Sequence, residues 1–268
     1  MRSDLYRNDG SILFSHLYKL ETTNGKQTSV VISGYRGIAG FKQLNSSHVV
    51  IVDHGDHCII MLKREVNSHV TLAGTCGTSG FEDGPSAKFN RPWGIEFDER
   101  NPGHLLITDC YNDALRSVDV TSGIVSTVIR TGLNYPAGLT WYNGRLLVGQ
   151  FSYHISEVTW SSDGSVTNKI LTGSKTRGYR DGDFTVAQFY KPNDIYQWRD
   201  GFFLIVDQDN KRFRLLDMTK RKVLPVCVGS TTNCTTSTFI PNNPRTLLVI
   251  NDTVYVGTAT NYIYKLVS

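Results

Sequence analysis

Three histidines stand where a metal could be held. His54 and His57 flank Gly55-Asp56 in one polar turn, and His154 falls in the equivalent turn further along the chain. Three imidazoles with one open position suit zinc, and Glu96 and Asp194 are the acids best placed to test for a bound zinc or calcium, with Glu96 the one taken with the histidines as the candidate metal set. Such a centre would serve a hydrolase or a lyase. The plainer reading is that two histidines in a polar turn face solvent, because most of the equivalent turns carry none. Nucleophilic chemistry has less support. There is no G-x-S-x-G, and Cys110 follows Asp109 with no base assigned to it. Asp109 with Asn112 and Asp207 with Asn210 are read as turn residues that bind local backbone, not as catalytic acids.

These residues sit in a repeating frame. Gly74 to Ile95 reads GTCGTSGFEDGPSAKFNRPWGI, and a second copy from Gly173 reads GSKTRGYRDGDFTVAQFYKPNDI. The matched positions are Phe81 with Tyr179, Asp83-Gly84 with Asp181-Gly182, Ala87 with Ala187, Phe89 with Phe189 and Pro92 with Pro192. Pro92, Pro136, Pro192 and Pro244 recur roughly every 50 residues. Each unit opens with a short strand after a Pro or Gly and continues through three more strands of alternating pattern. The third strands read CIIMLK, ALRSVD, ISEVTW, RFRLLD and YIYKLV. A hairpin with an Asn-Gly turn, SHLYKLE then KQTSVVI, precedes them. Four strands per unit at this spacing predict one all-β domain over 1–268, a β-propeller of four-stranded antiparallel blades.

The run GTCGTSGFEDGPSAKFNRPWGIEFD…LLITDCYNDALRSVDVTSGIVSTV resembles the NHL repeat over nearly the whole chain, most closely in 34–130 and 173–229. The resemblance implies an NHL-type propeller of six blades. Five is the alternative, if residues 26–32 supply the outer strand that the last unit lacks. It implies little about chemistry. Amidating lyases with NHL-like propellers hold zinc centrally, but their His-bearing segments have no match here. NHL domains of TRIM-type proteins bind RNA through a basic face. Here the net charge is only +4, and the basic residues are not concentrated at the corresponding turns, so nucleic acid is not an expected partner.

Function is therefore sought where the units differ. The residue just after each opening Pro, or its equivalent, is Arg36, Trp93, Ala137, Asn193 or Arg245, followed in one unit by Asp194. These are expected to ring one mouth of the propeller, joined by Tyr111 and Tyr153 from the turns between second and third strands. That mix suits a protein or glycan ligand without a cofactor. No apolar run approaches the length of a membrane span, so membrane insertion is not expected. Three sequons, at Asn45, Asn233 and Asn251, and two cysteine pairs that could close, Cys58 with Cys76 and Cys227 with Cys234, point to an extracellular, disulfide-bearing glycoprotein, part of a longer multidomain protein. Cys110 is left over.

Overall fold

The computed structural model describes the backbone of 16–19, 28–31, 36–63, 68–226, 244–250, 253–258 and 263–266, and side chains within 36–63 and 68–226. It is an all-β propeller fold, built from consecutive antiparallel sheets within which strands pair with their sequence neighbours, one short strand excepted. The hairpin is β1 (His16–Lys19) with β2 (Thr28–Val31). The first blade holds β3 (Ile38–Gln43), β4 (His48–Asp53), β5 (Cys58–Lys63) and β6 (Ser68–Ala73). The second holds β7 (Pro92–Phe97), β8 (His104–Asp109), β9 (Ala114–Asp119) and β10 (Val125–Ile129). The third holds β11 (Pro136–Tyr142), β12 (Arg145–Gln150), β13 (His154–Trp160) and β14 (Val166–Gly173).

The fourth blade takes in five strands. A two-residue strand, β15 (Gly182–Asp183), lies outside β19 (Lys222–Pro225), which pairs on through β18 (Arg212–Asp217) and β17 (Phe202–Asp207) to β16 (Pro192–Arg199). A last sheet has β20 (Pro244–Ile250), β21 (Thr253–Thr258) and β22 (Ile263–Leu266). Six complete blades, or five, are therefore not what the described residues contain. They hold four complete blades, a three-stranded sheet and a hairpin. The segments 1–15 and 227–243, from which further strands would come, lie outside the described residues, as do Cys227 and Cys234.

The chain divides into two compact units. Unit one is Met1–Asn112 with Arg116–Thr127; unit two is Asp113–Leu115 with Val128–Ser268. Each has its own core. In unit one the second strands are fully apolar runs, VVIV in β4 and LLI in β8, because both faces of a blade's middle are covered. Val50, Val52, Ile59, Phe89, Leu105 and Ile107 form one layer there. In unit two Leu147, Ile155, Phe189, Phe203, Ile205 and Leu216 do the same. First strands of successive blades approach closely. A Cβ on Gly40 would sit 2.8 Å from the Trp93 carbonyl oxygen, and one on Gly138 would sit 2.6 Å from the Asp194 Cα. Glycine at these points permits the approach. Among the described residues no helix is long and apolar enough to cross a membrane.

Cys58 and Cys76 form a disulfide, with Cα atoms 5.1 Å apart. It ties the start of β5 to the loop that follows β6. Cys110 is a free, buried thiol.

Candidate functional site

The shared acids are consumed by structure, through a partner that local sequence reasoning missed. Arg116 and Arg214, at matching places in β9 and β18, are fully buried. Arg116 Nη1 donates to Asp109 at 2.7 Å, and its Nη2 donates to Asp83 and to the Glu82 carbonyl, each at 2.6 Å. Its guanidinium also lies over the rings of Phe81 and Phe89. Arg214 repeats this with Asp207, Asp181, the Arg180 carbonyl, Tyr179 and Phe189. Asp109 further accepts from Asn90 N and Asn112 Nδ2; Asp207 accepts from Tyr190 N and Asn210 Nδ2. Burial pushes both carboxyls up, Asp207 to about 6, against the pull of these donors.

Asp83-Gly84 and Asp181-Gly182 accordingly do more than make a local turn. Gly84 exchanges backbone hydrogen bonds with Val125 in β10, and Gly182-Asp183 forms the strand that covers β19. The motif loop thus shields a blade's outer edge, and the buried arginine locks it there. The contact links residues 33 apart in sequence, which is why no local pattern discloses it.

The arginine accompanies that loop. The first blade has Asp53 in the acid position but Ile60 where the arginine would stand, and the third has Gln150 bound to Ser156 at 2.6 Å. Asp53 instead accepts from the backbone N–H groups of Arg36, Gly55 and Asp56. Burial, with the nearby Asp56 charge, raises it to about 6.

The expected mouth residues are not presented as the sequence implied. Trp93, Ala137 and Asn193, which follow the opening prolines, are buried. Trp93 meets His54 edge-on with centroids 4.7 Å apart. Asn193 donates to Gln208 at 2.7 Å, and its Oδ1 has no partner among the described residues. Asp194 accepts from Ile195 N. Arg245 lies in β20, with its side chain outside the described residues. The residues before those prolines are the ones displayed. Arg91, Tyr135 and Lys191 adopt φ of 53°, 51° and 60°. The last turn residues before the third strands, His57, Asp113, Tyr153 and Lys211, do likewise at 60°, 53°, 79° and 54°. Left-handed non-glycine backbone is uncommon and is held here by specific bonds. His57 Nδ1 accepts from Arg91 N at 3.0 Å, and Asp113 Oδ1 accepts from Tyr135 N at 2.7 Å. A following proline disfavours the right-handed helical region for its predecessor, and Arg91, Tyr135 and Lys191 take the left-handed one.

In unit one the candidates Arg36, His54, His57 and Trp93 do come together. Arg36 pairs with Asp56 at 3.3 Å, and Arg91 Nη1 lies 3.2 Å from His54 Nε2. One ring nitrogen of each histidine, His54 Nε2 and His57 Nδ1, therefore faces an Arg91 nitrogen. Glu96 is elsewhere, held by Lys42 at 2.7 Å. His154 belongs to unit two. Among the described residues no group of three His, Cys, Asp or Glu could hold a metal ion. Tyr111, in the same turn as Asn112, is exposed.

In unit two, the loop 174–180 and the turns at 190–191 and 208–212 converge. The Arg177 guanidinium sits 5.5 Å from the Tyr190 centroid, and Lys191 Nζ lies 6.0 Å from it. Tyr153 meets the same ring edge-on at 5.8 Å. Arg212 lies 4.7 Å from the Tyr179 centroid, and Asn210 Nδ2 donates to the Gly178 carbonyl. Basic residues are thus concentrated at these turns, contrary to the sequence expectation, because three separate segments supply them. Beside them is a cavity of about 510 Å³ lined by Leu133, Asn134, Ser152, His154, Asn168 and Lys175. His154 Nδ1 lies 3.0 Å from the Ser152 carbonyl, which can only accept, so the proton is on Nδ1 and the lone pair on Nε2. Burial lowers its pKa. Asn168 Oδ1 is buried without a partner among the described residues.

No protein-family model and no curated protein sequence matches the chain. Solved structures do. An auxiliary nutrient binding protein from Bacteroides ovatus superposes with a TM-score of 0.65 at 15% identity, covering 94% of this chain and 66% of that one. The nidogen/laminin complex gives 0.62 at 16% identity, covering 94% and 83%. A catalytically inactive virginiamycin B lyase from Staphylococcus aureus, with quinupristin, gives 0.57 at 13%, covering 98% and 78%. The chain spans about two thirds of the Bacteroides ovatus protein. Identities this low carry the fold and nothing finer.

Proposed function

We propose that the chain is a non-enzymatic extracellular binding module of NHL type that recognises protein or glycan through the funnel face of the propeller. One observation carries the reading. The acids that the blades share are saturated by backbone donors and buried arginines, while the turn positions that differ between blades are displayed on backbone held in left-handed conformations. Displayed, rigid and blade-specific residues are what recognition needs. The nutrient-binding and laminin-complex neighbours accord with this, as does the Cys58–Cys76 disulfide for an oxidising compartment. Asn45 adds to it as an exposed sequon at the β3–β4 turn, its Oδ1 accepting from Ser47 N and Oγ.

The virginiamycin and streptogramin lyase neighbours favour a second reading, a metal-dependent lyase or hydrolase on the same fold. An RNA-binding domain is a third, weaker one. Elemental analysis of protein purified without chelator or immobilised nickel separates the first two. The expected result is no stoichiometric metal, together with a partner from a secreted-protein and glycan array. About one zinc or calcium per chain, lost on His54→Ala or His57→Ala, would overturn the binding reading and call for a substrate screen.

A further inference from the structure

We infer that the basic, tyrosine-backed face of the fourth blade docks an acidic polypeptide segment; this rests on the binding-module reading. The face comprises Lys175, Arg177 and Arg180 from one loop, Lys191 from the pre-proline position, and Lys211 and Arg212 from the β17–β18 turn. It is joined by the Asn210 bond to Gly178 and by the Arg177 contact with Tyr190. Lys175, Arg177, Arg180 and Lys211 are exposed. Of the nearby acids, Asp181 is taken by Arg214 at 2.6 Å and Asp209 by Lys191 at 2.8 Å.

Apart from Lys191, which matches Arg91, this charge is not part of the repeat. The other copy of the motif has Gly77, Ser79, Glu82, Asp113 and Ala114 where this one has Lys175, Arg177, Arg180, Lys211 and Arg212. Only Arg214, matching Arg116, has a structural task in both. Lys175, Arg177, Arg180 and Lys211 stand exposed where the sibling copy folds without a basic residue, and these are the ones recognition can use.

The stacking decides the kind of anion. Tyr190 lies under Arg177, and Tyr179 lies beside both Arg212 and Arg214. Rings already engaged by guanidinium groups are poor platforms for a base or a sugar. Exposed Arg177 and Arg180 keep the N–H edge of a planar fork for an anion, Arg177 with the Tyr190 ring behind it and one Nη1 bond to that ring's hydroxyl. That edge matches a carboxylate in bidentate fashion. Aspartate and glutamate side chains on a flexible segment can reach several such forks together.

The test is fluorescence anisotropy of a fluorescein-labelled peptide of alternating glutamate and serine. A labelled single-stranded RNA and a heparin oligosaccharide are measured in parallel. The expected result is that the peptide binds, that binding weakens as salt is raised through the physiological range, and that Arg177→Gln/Lys211→Gln weakens it about tenfold or more. Lys220→Gln, at the other end of the same blade, should leave it unchanged. Lys175→Glu, on an exposed loop, is a second variant read the same way, and circular dichroism melts report whether each variant is folded. No peptide binding, or equal loss with Lys220→Gln, overturns the inference. So does RNA or heparin binding that is as tight and as sensitive to the double variant. An array partner unaffected by Arg177→Gln/Lys211→Gln would end the acidic-segment assignment and leave the binding-module reading standing; stoichiometric metal with turnover would end that reading instead.

Discussion

At the scale of single residues, two carboxylates at the same place in their blades differ because their partners differ. Asp109 faces Arg116 with both groups fully buried. Arg116→Met leaves Asp109 in the interior without its cation, and unfolding by urea should show a loss of about 3–5 kcal/mol. Restoring neutrality with Asp109→Asn in the same chain should recover part of it. Asp53 has Ile60 where that arginine would stand, and it is protonated near pH 6 in the folded chain against the ordinary 3.8. The folded state therefore holds more protons between those values, and the stability that Asp53 contributes rises as pH falls from about 7 to about 4. Asp53→Asn cannot titrate. The stability difference between wild type and this variant should shift toward wild type by about 1.4 kcal/mol per pH unit within the window, and a flat difference would show that Asp53 is not the group responsible. The aspartates were legible as structural in the sequence. The arginines were not, since Arg116 and Arg214 read as ordinary strand residues until the loop 33 positions earlier folds onto them.

At the scale of elements, the motif loop is a strap. Its Asp-Gly step pairs with the outer strand of the following blade, at Val125 in one copy and Val223 in the other. In the first copy the strap is also anchored by Cys58–Cys76, closing a separation of 18 residues. Cys58→Ser/Cys76→Ser should cost about 3 kcal/mol by the loop-closure argument, read as a lower urea midpoint with an equal or steeper slope, because the unfolded chain without the cross-link exposes more surface. The second copy, without cysteines, is held by β15, Arg214 and the Asn210 bond to the Gly178 carbonyl. The strands themselves followed from alternation, and the opening prolines were correctly placed at first-strand starts. Which neighbour of each proline faces outward did not follow. Trp93 and Asn193 point into the protein, and Arg91 and Lys191 out of it, because a left-handed residue before proline reverses the direction that simple alternation predicts.

At the scale of the whole chain, the two units have separate cores and separate arginine networks: Arg116 bonds to Asp83 and Asp109 in unit one, and Arg214 to Asp181 and Asp207 in unit two. The destabilisations from Arg116→Met and Arg214→Met should therefore add within about 0.5 kcal/mol in the double variant; a larger coupling would mean that the units share energy through contacts beyond these networks. The sequence by itself determined the all-β class, the four-strand repeat, the hairpin ahead of it and the turn positions, because each is written in short-range periodicity and in glycine and proline chemistry. Tertiary structure closed the Cys58–Cys76 pair that the sequence offers, and it alone decided that Asp83 and Asp181 belong to buried arginines and that Lys175, Arg177, Lys191, Lys211 and Arg212 share one face. Each of these joins segments separated along the chain, and such proximity is set by how strands stack and loops fold back, which no local pattern encodes.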